Sequence, residues 1–167
     1  MENRGLTLVE LIVVMVISGI IFLAVTCQFV AEQTFRTTIN DQIAATNDAS
    51  IAMSHMTRVL RHARHSTVSI NAIPVRYIAS IRATIDQDIA GTNLPEFTAD
   101  TQVIYGRKQD NTFEYTVGAN VAQVISRNII AFSATFDRTY KILTVSLTAQ
   151  RGNKRSSINS KIRVLGI

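Results

Sequence analysis

An apolar run at residues 6–31, close to the N-terminus, contains a single charged side chain, Glu10. A helix rises about 1.5 Å per residue, so a run of this length can span the roughly 30 Å hydrocarbon core of a bilayer. A carboxylate within such a helix is energetically costly unless it meets a cation or a proton. The run therefore predicts a membrane helix in which Glu10 has a functional role.

The cation available to Glu10 depends on whether the chain is cleaved after Gly5. If the chain is cut after Gly5, Leu6 becomes a new N-terminal residue whose α-amine carries a positive charge. Glu10 is then the fifth residue of the shortened chain, one helical turn from that amine. A cut at this position would therefore supply a partner charge for the carboxylate.

The sequence GLTLVE at residues 5–10 resembles the signal of type IV pilins and of type II secretion pseudopilins. That signal is a short polar leader ending in Gly, followed by an aromatic residue, Thr-Leu-Ile/Val-Glu and an apolar helix. Leu6 stands where the family usually has Phe. The resemblance implies that a membrane-embedded prepilin peptidase cuts after Gly5 and methylates the new amine of Leu6. It also implies that Glu10 meets the N-terminal amine of a neighbouring subunit during filament assembly.

The charges around the apolar run predict its orientation. Nothing basic follows the run until Arg36, which places the N-terminus in the cytoplasm and the rest of the chain outside it. The resemblance implies an inner-membrane subunit that assembles into a filament in the periplasm or at the cell surface. The implied partners are prepilin peptidase, other pilin or pseudopilin subunits and an inner-membrane assembly platform.

After residue 32 the apolar positions recur every three or four residues, as on one face of a helix. There is no Gly or Pro between Gly19 and Pro74, so we expect the helix to continue to about Arg64. The stripe is expected to cover a sheet. Its members are Phe35, Ile39, Ile43, Thr46, Ala49, Met53, Met56 and Leu60.

The sequence pattern of the remainder of the chain is typical of short β-strands. Strands are predicted at residues 67–73, 75–81, 102–107, 112–117, 129–136, 140–149 and 157–165, with a strand or a turn at 121–128 and a loop at 86–99. The polar residues 109–111 indicate a hairpin, and the last three strands an antiparallel meander. The predicted fold is α+β, a long N-terminal helix packed on an antiparallel β-sheet, and the resemblance implies a pilin-like roll.

These features divide the chain into four segments. Residues 1–5 are the leader, 6–31 the membrane and filament-core helix, 32–65 an amphipathic continuation of that helix, and 66–167 the antiparallel sheet domain. The C-terminal part, with a strand pair, a basic turn and a last strand that contains Arg163, is similar to that of the larger J-type minor pseudopilins and of some minor type IV pilins. The predicted subunit is therefore a minor one.

The single cysteine, Cys27, excludes a disulfide within the chain. We interpret it as a small apolar residue of the membrane helix. Lipidation at Cys27 is the alternative, but Thr26 occupies a position where a lipidation signal has Gly, Ala or Ser.

The sequence predicts no metal, no cofactor and no enzyme. His55, His62 and His65 are interleaved with arginines, which would repel a divalent ion. Carboxylates at residues 86–100 form a sparse candidate calcium loop. We find no nucleophile with a partner base and no glycine-rich phosphate loop.

The charge is unevenly distributed along a chain of formal net charge +5. No acidic residue follows Asp137, whereas the basic residues after it are Arg138, Lys141, Arg151, Lys154, Arg155, Lys161 and Arg163. These side chains form either a solvated strand face and turn or a surface for nucleic acid.

Three hypotheses for function follow from the sequence. The first is a minor pilin or pseudopilin, a structural subunit of a type IV pilus or of a type II secretion pseudopilus. The second is a pilin-like DNA-uptake component that binds DNA through its basic C-terminal half. The third is an uncleaved single-pass anchor that carries an unrelated domain.

Overall fold

The computed structural model describes residues 7–71, 77–85 and 100–165. It begins with one long helix, α1 (Leu8–Leu60), and a short 3-10 helix at His65–Thr67. The strands are β1 (Ser69–Ile70), β2 (Ala79–Thr84), β3 (Gln102–Arg107), β4 (Phe113–Val117), β5 (Gln123–Ser126), β6 (Ile129–Asp137), β7 (Ile142–Arg151) and β8 (Lys154–Arg163).

The chain divides into two compact units, Met1–Asn40 and Asp41–Ile167. The first unit consists, where described, of α1 up to residue 40, and the side chains of residues 7–37 are exposed. By length and composition, α1 is apolar enough to cross a membrane. Such a helix fits the single-pass anchor that the sequence predicts.

The second unit packs the C-terminal part of α1 against antiparallel sheets, which confirms the predicted α+β fold. The strands lie in two sheets, in the orders β1-β2-β3-β4-β5 and β6-β7-β8, rather than in the one sheet that we expected. The chain leaves the first sheet after Ser126 and enters the second at Ile129. The Ile129 amide donates a hydrogen bond to the Asn111 carbonyl, and the Asn128 carbonyl accepts one from the Gln150 amide. Residues distant in sequence therefore hold this crossover in place.

The buried face of α1 differs in part from the predicted stripe. The helix buries Ala45, Ala49, Ala52, Met53, Met56, Val59 and Leu60. The predicted positions from Ala49 onwards are buried, whereas Phe35, Ile39 and Ile43 are exposed. Thr46 is also exposed, and its hydroxyl donates to the Ser156 hydroxyl at 3.1 Å. An apolar period shows which positions share a face, but not where along the helix the sheet begins to cover them.

The helix ends at Leu60, before the predicted end near Arg64. Ala63 forms a β-bridge with Ile85, and the Arg64 amide donates to the Thr84 carbonyl at 2.7 Å. Pairing with the sheet therefore ends the helix, although no Gly or Pro marks the position.

The predicted hairpin and meander are confirmed. The β3–β4 turn is closed by the Lys108 amide, which donates to the Thr112 carbonyl at 2.9 Å, and Asn111 adopts a left-handed φ of 64°. In β7, buried and half-buried side chains alternate as predicted. The segment at 121–128, predicted as a strand or a turn, contains β5. Strand β2 was expected to end at residue 81 but continues to Thr84, because Thr84 still pairs with Gln102 of β3. The predicted loop at 86–99 lies outside the described residues.

Candidate functional site: the start of the apolar helix

Glu10 lies in the first turn of α1 and forms a reciprocal pair of contacts with Thr7. The Thr7 amide and the Thr7 hydroxyl each donate to Oε2 of Glu10 at 2.9 Å. The Glu10 amide lies 3.3 Å from Oγ1 of Thr7, which accepts from it. This arrangement is a capping box, with Thr7 as the N-cap residue and Glu10 at the third helical position.

The capping box explains why α1 begins where it does. The first amides of a helix have no partner within the helix, and a threonine followed three residues later by glutamate satisfies two donors at once. Thr7 is thus a site residue that the sequence analysis missed. The Thr-x-x-Glu spacing at residues 7–10 is the signal by which it could have been found.

Gly5 and Leu6 lie outside the described residues. The predicted cut after Gly5 and the methylation of the Leu6 amine therefore remain predictions. The role of Glu10 in assembly also remains a prediction.

The surface that follows Glu10 is apolar and exposed. Large apolar side chains exposed in the first unit include Leu11, Ile12, Val13, Val14, Met15, Val16, Ile17, Ile20, Ile21, Phe22, Leu23, Val25, Phe29 and Val30. The Thr26 hydroxyl donates to the Phe22 carbonyl at 2.8 Å, so it needs no water. Cys27 is exposed on the same helix. The next charges are Glu32 and Arg36, whose side chains bond to each other (Nε to Oε1, 3.0 Å).

His55 lies where α1 meets the five-stranded sheet. Its Nδ1 is 2.9 Å from the Tyr105 hydroxyl, and its ring centroid is 4.6 Å from that of Tyr115. The structure therefore places His55 in a packed aromatic cluster. Within residues 7–71, 77–85 and 100–165, no group of three or more His, Cys, Asp or Glu side chains could hold a metal ion. The candidate calcium loop lies almost entirely outside these ranges.

The basic residues of the C-terminal part are divided between two places. Lys161 and Arg163 pair with the start of β7, close to the β6–β7 turn that holds Arg138 and Lys141. The other three, Arg151, Lys154 and Arg155, lie at the β7–β8 turn. Ten-residue strands separate these turns by about 30 Å. The structure does not bring the seven predicted side chains into one patch.

The family model for the prokaryotic N-terminal methylation motif matches residues 1–26. This match covers Gly5, Leu6, the capping box and most of the apolar run. No curated protein and no solved structure matches the chain.

Residues 1–26 therefore carry a type IV pilin-like prepilin signal. Such a signal implies processing by prepilin peptidase and assembly with other pilin subunits, and it points to a structural subunit rather than an enzyme. The motif and the apolar helix together fit a membrane-anchored, single-pass protein.

Proposed function

We propose that this protein is a minor pilin or pseudopilin that is cut after Gly5, methylated on the amine of Leu6 and assembled into a type IV pilus or a type II secretion pseudopilus. The observation that carries the proposal is the combination found in the first unit. An exposed apolar helix surface begins with one carboxylate, Glu10, and the matched methylation motif contains Glu10 and most of that surface.

The proposed role of Glu10 is to pair with the N-terminal amine of a neighbouring subunit. The capping box gives its carboxylate hydrogen-bond donors, but it does not neutralise the charge. An ionised carboxylate in hydrocarbon is stabilised substantially only by a cation. The amine created at Leu6 would supply that cation, and the hydrogen bonds from Thr7 would hold the carboxylate at the helix start to receive it.

The four segments take the following roles in this proposal. Residues 1–5 are the leader, residues 6–31 form the membrane anchor and then the filament core, residues 32–65 connect it to the rest, and residues 66–167 form the domain outside the cytoplasm. An inner-membrane assembly platform would transfer the subunit from the bilayer to the filament. Apolar helix packing without water between subunits would stabilise that filament.

Replacement of Glu10 by Gln tests the proposal. Gln at the third helical position preserves the capping box but removes the charge. We expect Glu10→Gln to enter the membrane at the wild-type level and to be absent from sheared and purified filaments. The matched control is Glu32→Gln, which neutralises another carboxylate of α1 and should leave incorporation unchanged. Incorporation of Glu10→Gln at the wild-type level would contradict the pairing role.

A further inference from the structure

Among the described strands, β8 lies at the edge of its sheet, and no described strand pairs with the side that faces away from β7. It is the last strand in the order β6-β7-β8, and it pairs with β7 from Lys154 to Arg163 without a register shift. In an antiparallel pair, successive residues point their backbone groups alternately toward the partner strand and away from it. The parity of the register therefore decides which residues of β8 present their N–H and C=O groups outward.

One hydrogen bond beyond the strand fixes that parity. The Val164 amide donates to the Lys141 carbonyl at 3.0 Å, and these residues oppose each other when the register is continued. Even-numbered residues of β8 therefore bond to β7, and odd-numbered residues point outward. Two contacts agree with this parity: Gln42 Nε2 donates to the Arg155 carbonyl at 3.5 Å, and the Leu165 amide donates to the Arg61 carbonyl at 2.9 Å.

Gln42 of α1 and Arg61, the residue after its end, thus contact the outward side of the chain at two separated points. Between them lie the outward-pointing backbone groups of Ser157, Asn159, Lys161 and Arg163. Within the described ranges, these four residues make no backbone hydrogen bond other than through strand pairing. A row of unpaired groups of this kind is a template for a further strand.

A groove of about 490 Å³ lies between α1 and β8 in the second unit. Its lining combines two arginines, a histidine, hydroxyl side chains and apolar side chains, namely Arg58, Arg61, His62, Ser50, Ser54, Thr57, Met53 and Ile158. Among the residues that the structure describes, no carboxylate lines this groove, and its volume lies within the range of binding clefts. Its chemistry is complementary to a negatively charged segment that also carries apolar side chains.

We propose that the groove and the edge of β8 bind a short, extended, acidic segment of a partner protein. The segment adds a strand to β8 by pairing with its odd-numbered residues, and its carboxylates meet Arg58 and Arg61. Phosphates of DNA could meet the same arginines. Only a polypeptide, however, presents alternating donors and acceptors at the spacing of a strand. This surface lies within the second unit, and binding to it does not depend on filament assembly through Glu10.

The test uses the full chain in detergent micelles and a labelled peptide of about eight alternating glutamates and valines. The matched control peptide has the same sequence with alternate amides N-methylated, which preserves its charge and removes its strand-pairing donors. We expect the control to bind at least about tenfold more weakly by fluorescence anisotropy. We also expect the unmodified peptide to slow hydrogen exchange at Ser157, Asn159 and Lys161.

Two variants separate strand pairing from charge. Asn159→Pro removes an outward amide without removing a bond to β7, and proline is tolerated at such edge positions. It should weaken binding, whereas Asn159→Ala should not. Arg61→Glu should also weaken binding, whereas Arg138→Glu, at the β6–β7 turn, should have little effect.

The proposal fails if the two peptides bind equally, if Asn159→Pro binds like the wild type, or if no binding is seen at millimolar peptide. It also fails if duplex DNA, rather than the peptide, slows exchange at the outward amides. That last result would instead favour nucleic acid as the ligand of this surface.

Discussion

Thr7 and Glu10 cap the start of α1 through hydrogen bonds in both directions, with Oε2 of Glu10 at 2.9 Å from the Thr7 amide nitrogen. The residue proposed to pair with a neighbouring subunit therefore also has a structural role within its own helix. A loss of assembly on truncation of Glu10 could come from either role. The two can be separated by changing Thr7.

Replacement of Thr7 by Val removes the hydroxyl and leaves the charge of Glu10 in place. Loss of an N-cap costs about 1 kcal/mol, which corresponds to roughly fivefold faster hydrogen exchange in the first turn of α1. Exchange in micelles measures this effect. Filament incorporation of Thr7→Val should remain close to that of the wild type. If it falls as far as in Glu10→Gln, the cap rather than the charge is what assembly requires.

Ala49 tests the packing of α1 against the sheets. Its side chain is fully buried, and a larger one would have to displace its neighbours. Ala49→Leu should destabilise the second unit by about 1–3 kcal/mol. Asn47→Leu, on the exposed side of the same helix, should change stability by less than about 0.5 kcal/mol. Chemical denaturation followed by tyrosine fluorescence measures both, and equal effects would contradict the assigned helix face.

Gly106 lets the Tyr77 ring lie against the backbone of β3. A Cβ at Gly106 would be 2.5 Å from the nearest ring atoms, and the Tyr77 hydroxyl donates to buried Glu114 at 2.8 Å. The other carboxylate oxygen of Glu114 is 2.7 Å from the Lys108 ammonium. Gly106→Ala should therefore cost about 1–3 kcal/mol by displacing the ring.

A double-mutant cycle tests this cause directly. In a Tyr77→Ala background, which already lacks the ring, Gly106→Ala should cost little, so the two changes should be strongly non-additive. The free energy of unfolding of the four proteins measures the coupling. Additive costs would show that Gly106 is constrained by something other than Tyr77.

Asp110, in the β3–β4 turn, predicts a small dependence of stability on pH. The Thr112 amide donates to its Oδ1 at 3.0 Å and lowers the pKa of the Asp110 carboxyl below the ordinary value of 3.8. Because the folded state has the lower pKa, this contribution is present above pH 3.8 and is lost as the pH falls through the folded pKa. Asp110→Asn should therefore melt below the wild type at neutral pH, with the gap closing in acid. A gap that stays constant with pH would contradict the assignment.

Local sequence patterns predicted much of this fold. The apolar run, the turn at residues 109–111 and the alternation in β7 are local signals, and the structure agrees with each. The end of α1 could not be predicted, because Arg64 leaves the helix to pair with Thr84, a residue distant in sequence. The division into two sheets is likewise set by contacts between distant residues. Ala45 and Ala52 are buried because of where the sheets cover the helix, and the hydrophobic periodicity of the sequence does not predict that position.

The candidate site was predicted unevenly. Glu10 stood out because it is the only charge in the apolar run. Its hydrogen-bonding partner Thr7 was overlooked, although the capping spacing is visible in the sequence. The outward edge of β8 was beyond sequence reasoning, since it depends on strand order and on the parity of the register.

The most direct test of the central claim is the intact mass and N-terminal sequence of the protein isolated from its native membrane. The proposed processing predicts a chain that begins at Leu6 and carries the mass of one added methyl group. A chain that begins at Met1 would contradict cleavage after Gly5 and would leave Glu10 without the amine proposed as its partner.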